Sequence, residues 1–187
     1  MYDILIIGAG PAGASAAIFS AKSGKKTLII DNDKSMTKRA WIENHYGVAE
    51  ISGPDLIEMG KKQAVKLGAE LVTESVSEIS KTETGFTVVT EGNKNFDSKH
   101  IVFATGVALN VAEQLGVTTK NGTEPRIKTV LAVNEQGQTN IPGVWAAGTC
   151  AGVSVHTIIT AGDGAKVAIN IISELNGERY VDHDILK

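Results

Sequence analysis

Three glycines and one carboxylate are the residues best able to do chemistry in this sequence. Gly8, Gly10 and Gly13 fall in the run Gly8-Ala9-Gly10-Pro11-Ala12-Gly13, and Asp31 follows 18 residues after the last of them. A G-x-G-x-x-G turn suits a pyrophosphate. The first glycine makes the sharp turn, the second lets the phosphates approach the backbone, and the third lets a helix lie close on a strand. A helix opening at Pro11 would direct unbonded N–H groups and the positive end of its dipole at the anion. An acid placed like Asp31 accepts hydrogen bonds from a ribose diol and repels a 2′-phosphate. Together the four imply a dinucleotide held by its AMP half. The glycine pattern alone also occurs as a plain structural turn, so the flanking elements have to be right.

They are. Asp3 to Ile7 (D-I-L-I-I) is a short apolar run ending at Gly8, which suits a strand buried on both faces. Ala12 to Ala21 is rich in small helix formers, and Gly24 closes that helix. Thr27 to Ile30 is a second buried strand running into Asp31, which completes a βαβ unit. The stretch from Asn32 to Ser52 is polar and irregular, long enough to be a functional loop. Gly53-Pro54 opens a second helix, with Leu56, Met59, Ala64 and Leu67 at helical spacing before Gly68. Three alternating segments follow, Glu70 to Ile79, Phe86 to Thr90 and Phe96 to Ala104; turn signals at Thr84-Gly85 and Glu91-Gly92-Asn93 make them an antiparallel meander. Loop through Arg126, strands over Ile127 to Val133 and Val144 to Ala147, and a last helix over about Thr157 to Leu175 complete the reading, with Asn176-Gly177 as its stop.

Composition narrows the classes of function. At 187 residues with 42% apolar and 21% charged residues, the chain is one globular domain with a real core. A net charge of −3 provides no basic field for nucleic acid or an anionic membrane. One cysteine cannot form an internal disulfide, a C-x-x-C redox pair or a structural zinc site, and no histidine spacing suggests a metal. His45, His100 and His183 are therefore surface or core residues. The start Met1-Tyr2-Asp3 has no signal-peptide pattern and no apolar run reaches the roughly 18 residues that span a bilayer, so a cytoplasmic protein is expected.

Further motifs identify a resemblance. Asp3 to Gly13 opens like the FAD domain of two-dinucleotide-domain flavoprotein reductases. Ile101-Val102-Phe103-Ala104-Thr105-Gly106 resembles their hydrophobic run ending in A-T-G, and Pro142-Gly143-Val144-Trp145-Ala146-Ala147-Gly148 resembles their second FAD motif. Ile42-Glu43-Asn44, Gly53-Pro54-Asp55-Leu56, Gly68-Ala69-Glu70 and Ile158 to Ala165 are similar to the thioredoxin reductase branch. The resemblance covers Tyr2 to about Leu175. It implies an α/β fold with a single FAD-binding Rossmann-like domain over residues 1–177 and a polar C-terminal tail over 178–187. Its parallel sheet would carry helices on one face and an antiparallel β-meander on the other. FAD is the implied cofactor, and the family pairs through its FAD domains, so a homodimer is expected.

Carried onto this sequence, the resemblance assigns cofactor binding to Gly8, Gly10, Pro11, Ala12, Gly13, Asp31 and Asn32. It adds Asn44, Val76 after Ser75, Ala104, Thr105, Gly106, Gly148, Thr149, His156 and Thr157. Several of these have a plainer reading: Asn44 is either a flavin contact or a turn former, Ser75 and Val76 adenine neighbours or ordinary strand, Trp41 and Tyr46 flavin covers or packing residues. The N-terminus of the last helix would stabilise negative charge on the flavin, with His156 a titratable donor or a satisfied neutral histidine. His156 and Cys150 are the only weak catalytic candidates, and Cys150 reads better as a buried hydrophobe.

The sequence also departs from the family. Only Val107 to Ile141 stands where thioredoxin reductases insert an NADPH domain with its own glycine fingerprint and C-x-x-C. The family's G-D is Gly148-Thr149, its glycine-rich stretch is missing between Asp31 and Trp41, and its R-Q-A is Val155-His156-Thr157. The leading expectation is a FAD-dependent oxidoreductase without a built-in NADPH site or redox dithiol, its electron donor and acceptor unassigned. The alternatives are a non-catalytic flavin-binding or sensing module, or the FAD half of a two-chain reductase. A short-chain dehydrogenase would need Tyr-x-x-x-Lys, but Tyr2, Tyr46 and Tyr180 are followed by Ile6, Glu50 and Asp184.

Overall fold

The computed structural model describes residues 1–182, 184 and 185. In chain order its elements are β1 (Tyr2–Ile7), α1 (Pro11–Lys22), β2 (Thr27–Asp31), β3 (Trp41–Ile42), β4 (Ile51–Ser52), α2 (Gly53–Lys66), β5 (Glu70–Thr73) and β6 (Val76–Lys81). There follow β7 (Phe86–Thr90), β8 (Asn95–Phe103), α3 (Asn110–Gln114), β9 (Thr119–Asn121), β10 (Thr129–Leu131), β11 (Val144–Ala146) and α4 (Thr157–Asn176). Single 3-10 turns cover Met36–Arg39 and Gly148–Ala151.

The main sheet runs β5-β2-β1-β8-β7-β6, with β11 also paired to β8. Pairs among β5, β2, β1, β8 and β11 are parallel, and β6–β7 and β7–β8 are antiparallel. Strand β8 branches: residues 95–98 hold β7, whereas Ile101 to Phe103 hold β11. The apolar runs are continuous because both faces are covered. Ile4, Ile6, Ile29, Val102 and Trp145 face α1 and α4, while Leu5, Ile7, Leu28, Ile30, Ile101 and Phe103 face Ile79, Phe86 and Val88 of the meander. The expected arrangement, helices on one face and meander on the other, is what forms.

Helix α1 is built of small residues because it is squeezed between the sheet and α4. A Cβ on Gly164 of α4 would come within 2.0 Å of the Ala12 carbonyl oxygen, so the two backbones touch. Helix α2 starts with Pro54 in its first turn and Ser52 as N-cap, whose hydroxyl accepts from the Asp55 N–H at 3.2 Å. The structure corrects the expected stripe of this helix. Ile57, Lys61 and Ala64 are buried, whereas Met59 and Leu67 are 47% and 38% exposed. The cause is Gly60, which sits against the Ala14 methyl and brings that side of the helix onto α1.

Two further expectations change. Glu70 to Ile79 is not one strand: β5 joins the edge of the parallel sheet beside β2, and β6 starts the meander at the other end. The region through Arg126 is not plain loop, since it holds α3 and β9, and only Thr129–Leu131 of the expected strand pairs, with β9. Parts of the polar C-terminal segment touch the domain. Tyr180 packs against the α1–α4 core, and Lys22 of α1 binds Asp182 and Asp184 at 2.8 and 2.6 Å. His183 lies outside the described residues. Among those described, no helix is long and apolar enough to cross a membrane, and no group of three or more His, Cys, Asp or Glu could hold a metal.

His100 is a core residue, 8% exposed, and its Nδ1 lies 3.1 Å from the Trp145 indole N–H that donates to it. Burial holds this imidazole below its ordinary value; Glu174 and Asp3 oppose the shift and Lys99 adds to it. The unfolded chain therefore takes up a proton first as pH falls, and folding stability drops from the ordinary histidine range downward, by at most about 1.4 kcal/mol per pH unit for one group. Denaturant unfolding between pH 7.5 and 5.5, followed by Trp145 emission, should show this slope, and His100→Gln, which keeps an acceptor but no titrating ring, should flatten it.

Candidate functional site

The C-terminal ends of the parallel strands all open on one crevice, where an open α/β sheet places its ligand. Strand β1 ends there in the Gly8 turn, β2 in Asp31, β8 in Ala104-Thr105-Gly106, and β11 in Ala147-Gly148. The Gly8 N–H donates to the Ile30 carbonyl, Ala104 N–H to Ile7, and Ala147 N–H to Phe103, which extends the ladders into the turns. Gly8 has φ +98°, and a Cβ there would meet the Ala104 carbonyl oxygen at 2.5 Å. A Cβ on Gly13 would lie 1.9 Å from the Gly8 carbonyl oxygen. Only glycine lets α1 start this close to β1.

No side chain caps the N-terminus of α1 at Gly10, and around a Cβ built on Gly10 only the Ser35 side chain lies within 4 Å. The first-turn N–H groups therefore carry no side-chain cap, with Ser35 the side chain beside them, and free N–H groups at a helix start form a cradle that suits a pyrophosphate. Ser35 is the N-cap of the 3-10 turn that follows β2. Its hydroxyl accepts from the Thr37 N–H at 3.3 Å, which leaves its own proton free to donate.

Asp31 is 5% exposed, and its Oδ1 accepts from the Ala9 N–H at 2.9 Å. Its Oδ2 is taken by Lys61 Nζ at 2.6 Å, a partner that the expected stripe of α2 concealed. Neighbouring Asn32 serves as a turn former, its side-chain oxygen accepting from the Lys34 N–H at 3.2 Å. Val76 lies just beyond β5, half-buried against the meander-side core, and the carbonyl of Ser75 is engaged by the Glu91 N–H.

On the other flank, Gly148 has φ +77°, with the Ala12 methyl 2.7 Å from its Cβ position. Its N–H donates to Asp163 of α4 at 2.8 Å, and Lys166 holds the other oxygen of that buried acid at 2.6 Å. Asp163 was not among the expected residues; its carboxylate ties α4 to the second motif directly before Thr149. Thr149 is half-buried in the turn after β11. Thr105 donates to the Ala108 carbonyl at 2.5 Å, and Gly106 has φ +65°, so both shape a turn.

The loop joining β3 to β4 reaches α4. His45 Nδ1 lies 3.0 Å from Thr157 Oγ1, the first residue of that helix, and Thr157 is buried. Asn44 is exposed immediately before it. His45, expected to be an inert surface or core residue, is thus the fastening between the loop and the helix start. His156 is exposed at the N-cap, with Ser154 Oγ 2.8 Å from its Nδ1. Trp41 and Tyr46 are 63% and 93% exposed, so neither packs in the core. Cys150, the other weak catalytic candidate, is 1% exposed, and its thiol contacts the carbonyls of Phe103 and Ala147, each at 3.2 Å. Burial pushes that thiol up, and it acts as a packing residue.

The structure thus brings Gly8, Gly10, Ala12, Gly13, Ala104 and Gly148 into mutual contact or one turn apart, with Asp31 at one end and Thr157 at the other. The uncapped start of α1 lies between these two ends.

Comparison with known proteins agrees. The model of the pyridine nucleotide-disulphide oxidoreductase family matches residues 40–165, and that of the FAD binding domain residues 3–41. The thioredoxin reductase of Listeria monocytogenes is 36% identical over 109 residues, covering 57% of this chain and 34% of its own length. That of Rickettsia conorii is 34% identical over 121 residues, 63% of this chain and 38% of its own. The chain therefore spans about a third of the length of these curated relatives. Among solved structures, a thioredoxin reductase from Gloeobacter violaceus superposes with a TM-score of 0.79 at 22% identity, over 100% of this chain and 99% of that one. An atypical thioredoxin reductase from Desulfovibrio vulgaris Hildenborough gives 0.78 at 21%, over 95% and 99%. These last two show the fold alone. With the glycine turn, the second-strand acid and the family match in register along most of its length, the chain belongs to the pyridine nucleotide-disulphide oxidoreductase family, and its cofactor is FAD.

Proposed function

We propose that this chain is a FAD-dependent oxidoreductase of thioredoxin reductase-like type whose flavin exchanges electrons with a donor and an acceptor other than its own residues. The observation that carries the reading is the uncapped N-terminus of α1 at Gly10, behind the Gly8 turn and beside Asp31, in a chain whose one thiol is buried. FAD, when bound, supplies hydride and electron transfer. The turn from Gly8 to Gly13 and the N–H groups of α1 would hold its pyrophosphate, with Pro11 fixing the first helical turn and Ala12 packing under Gly148. Asp31 would take the ribose and the segment at Asn32 and Val76 the adenine side. Ala104, Thr105 and Gly106, with Gly148 and Thr149, would line the middle of the crevice. Asn44, His156 and Thr157 would meet the isoalloxazine end, where the α4 dipole favours negative charge.

Cys150 cannot relay electrons as half of a dithiol, because it has no partner cysteine in this sequence. The 35-residue stretch from Val107 to Ile141 carries α3 and the β9–β10 hairpin and no second G-x-G-x-x-G. These facts support an external source of reducing equivalents. We place the protein in the cytoplasm as a homodimer, as the family resemblance suggests. A second reading, the FAD half of a two-chain reductase, is favoured by exposed Val155, Ile158 and Ile159 at the start of α4, with Tyr46 on the loop that His45 fastens there.

Titration of the purified protein with FAD should give a yellow complex with one flavin per chain, and a protein that stays colourless overturns the reading. Under anaerobic conditions NADH, NADPH and a small dithiol tested in turn identify which donor bleaches the flavin. NADPH-driven reduction of thioredoxin by this chain alone should be absent, and its observation would contradict the lack of a dithiol relay. In the loaded protein, His156→Gln should move the flavin midpoint potential by about 30 mV, the equivalent of about 1.4 kcal/mol for a two-electron couple; an unchanged potential removes His156 from the redox site.

A further inference from the structure

Lys61 is a lysine on the buried side of a helix, and it binds two acids. It lies in line with Ile57 and Ala64 on α2, its side chain 11% exposed. Its ammonium binds Asp31 Oδ2 at 2.6 Å and Asp33 Oδ1 at 3.1 Å. Asp33, at φ +61°, is held in turn by Lys38 from the 3-10 turn. The Asp31 side chain is 6% exposed, and its other oxygen accepts from the Ala9 N–H. The charged groups around Asp31 are therefore Lys61 from α2, Asp33 from the loop after β2, and Lys38 behind Asp33; its register partner on β5 is the neutral Thr73. Two lysines balance two acids.

We infer that Lys61 is a positioning residue for the adenosine half of the coenzyme, holding the Asp31 carboxylate aimed so that its remaining lone pairs accept from the ribose diol. This rests on the FAD reading above. A carboxylate this buried is costly without a cation beside it. The single backbone N–H from Ala9 would not offset that cost. Each carboxylate oxygen keeps a second acceptor site after its present bond, so the clamp leaves room for a diol. Lys61 spends its N–H donors on Asp31 and Asp33, so it reaches the coenzyme only through the acid it holds. Burial opposes the charge on Lys61, but the two acids outweigh it and hold its ammonium above the ordinary value.

The test is FAD binding followed by flavin fluorescence, with folding checked by thermal unfolding. Lys61→Met should bind at least tenfold more weakly than wild type, while Lys61→Arg, which keeps a cation on Asp31, restores the wild-type affinity. A folded Lys61→Met protein with wild-type affinity overturns the inference. Because Lys61→Met leaves a buried acid unpaired, Asp31→Asn is compared with Asp31→Asn/Lys61→Met, in which both charges are gone. Those two should bind FAD within about threefold of each other, and a further tenfold loss in the double variant shows that Lys61 acts apart from Asp31 and refutes the clamp. Wild type that takes up no FAD instead refutes the coenzyme assignment, before any variant is compared.

Discussion

Everything at the crevice depends on backbone meeting backbone without side chains between. Helix α1 starts against the carbonyl of Gly8, and α4 crosses it against the carbonyl of Ala12, at places where a single methyl would have come within about 2 Å of an oxygen. This contact fixes the direction of α1, and with it the N–H groups that face the cradle. It also sets the distance from the first strand to the second FAD motif, because Gly148 rests on the same Ala12. Binding and folding therefore draw on the same atoms. A protein packed this closely transmits small volume changes instead of absorbing them.

The parts of the molecule readable from sequence are those where one residue type has one reason to be present. The first βαβ unit was legible because runs such as Ile4 to Ile7 are buried on both faces and the glycines between have no substitute. The last helix was legible from its period and its Gly177 stop. Lys61 was not, because a lysine on a helix is normally solvated. Only Asp31 at the end of β2, Asp33 just after it and the contact between Gly60 and Ala14 place it inside. Position 61 does complete an apolar stripe with Ile57 and Ala64, so a signal existed, but Leu56, Met59 and Leu67 offered a competing stripe of stronger hydrophobes.

The divided strand after α2 has a similar cause. Glu70 to Ile79 alternates throughout, and alternation does not say which neighbour each half will find. Thr73 pairs beside Asp31 whereas Val76 already pairs with Thr90. His45 escaped notice because its partner, Thr157, is 112 residues away. The hairpin of β9 and β10 is three residues on each side and mostly polar on its first strand, which leaves too short a pattern to detect. Those misreadings come from pairings that cross the chain or from patterns too short to read.

The branching of β8 has a consequence for how such a protein can change size. The chain leaves the sheet at Ala104 and rejoins it beside Ile101, so the two ends of the excursion through Val107 to Ile141 are anchored roughly 10 Å apart, at about 3.3 Å per strand residue. Closing such a gap costs entropy that grows only with the logarithm of the length enclosed. The scaffold is thus nearly indifferent to whether a hairpin or a whole extra globule hangs from that gap. Strand β11 works as a clasp: whatever is threaded between, the flavin crevice closes behind it unchanged.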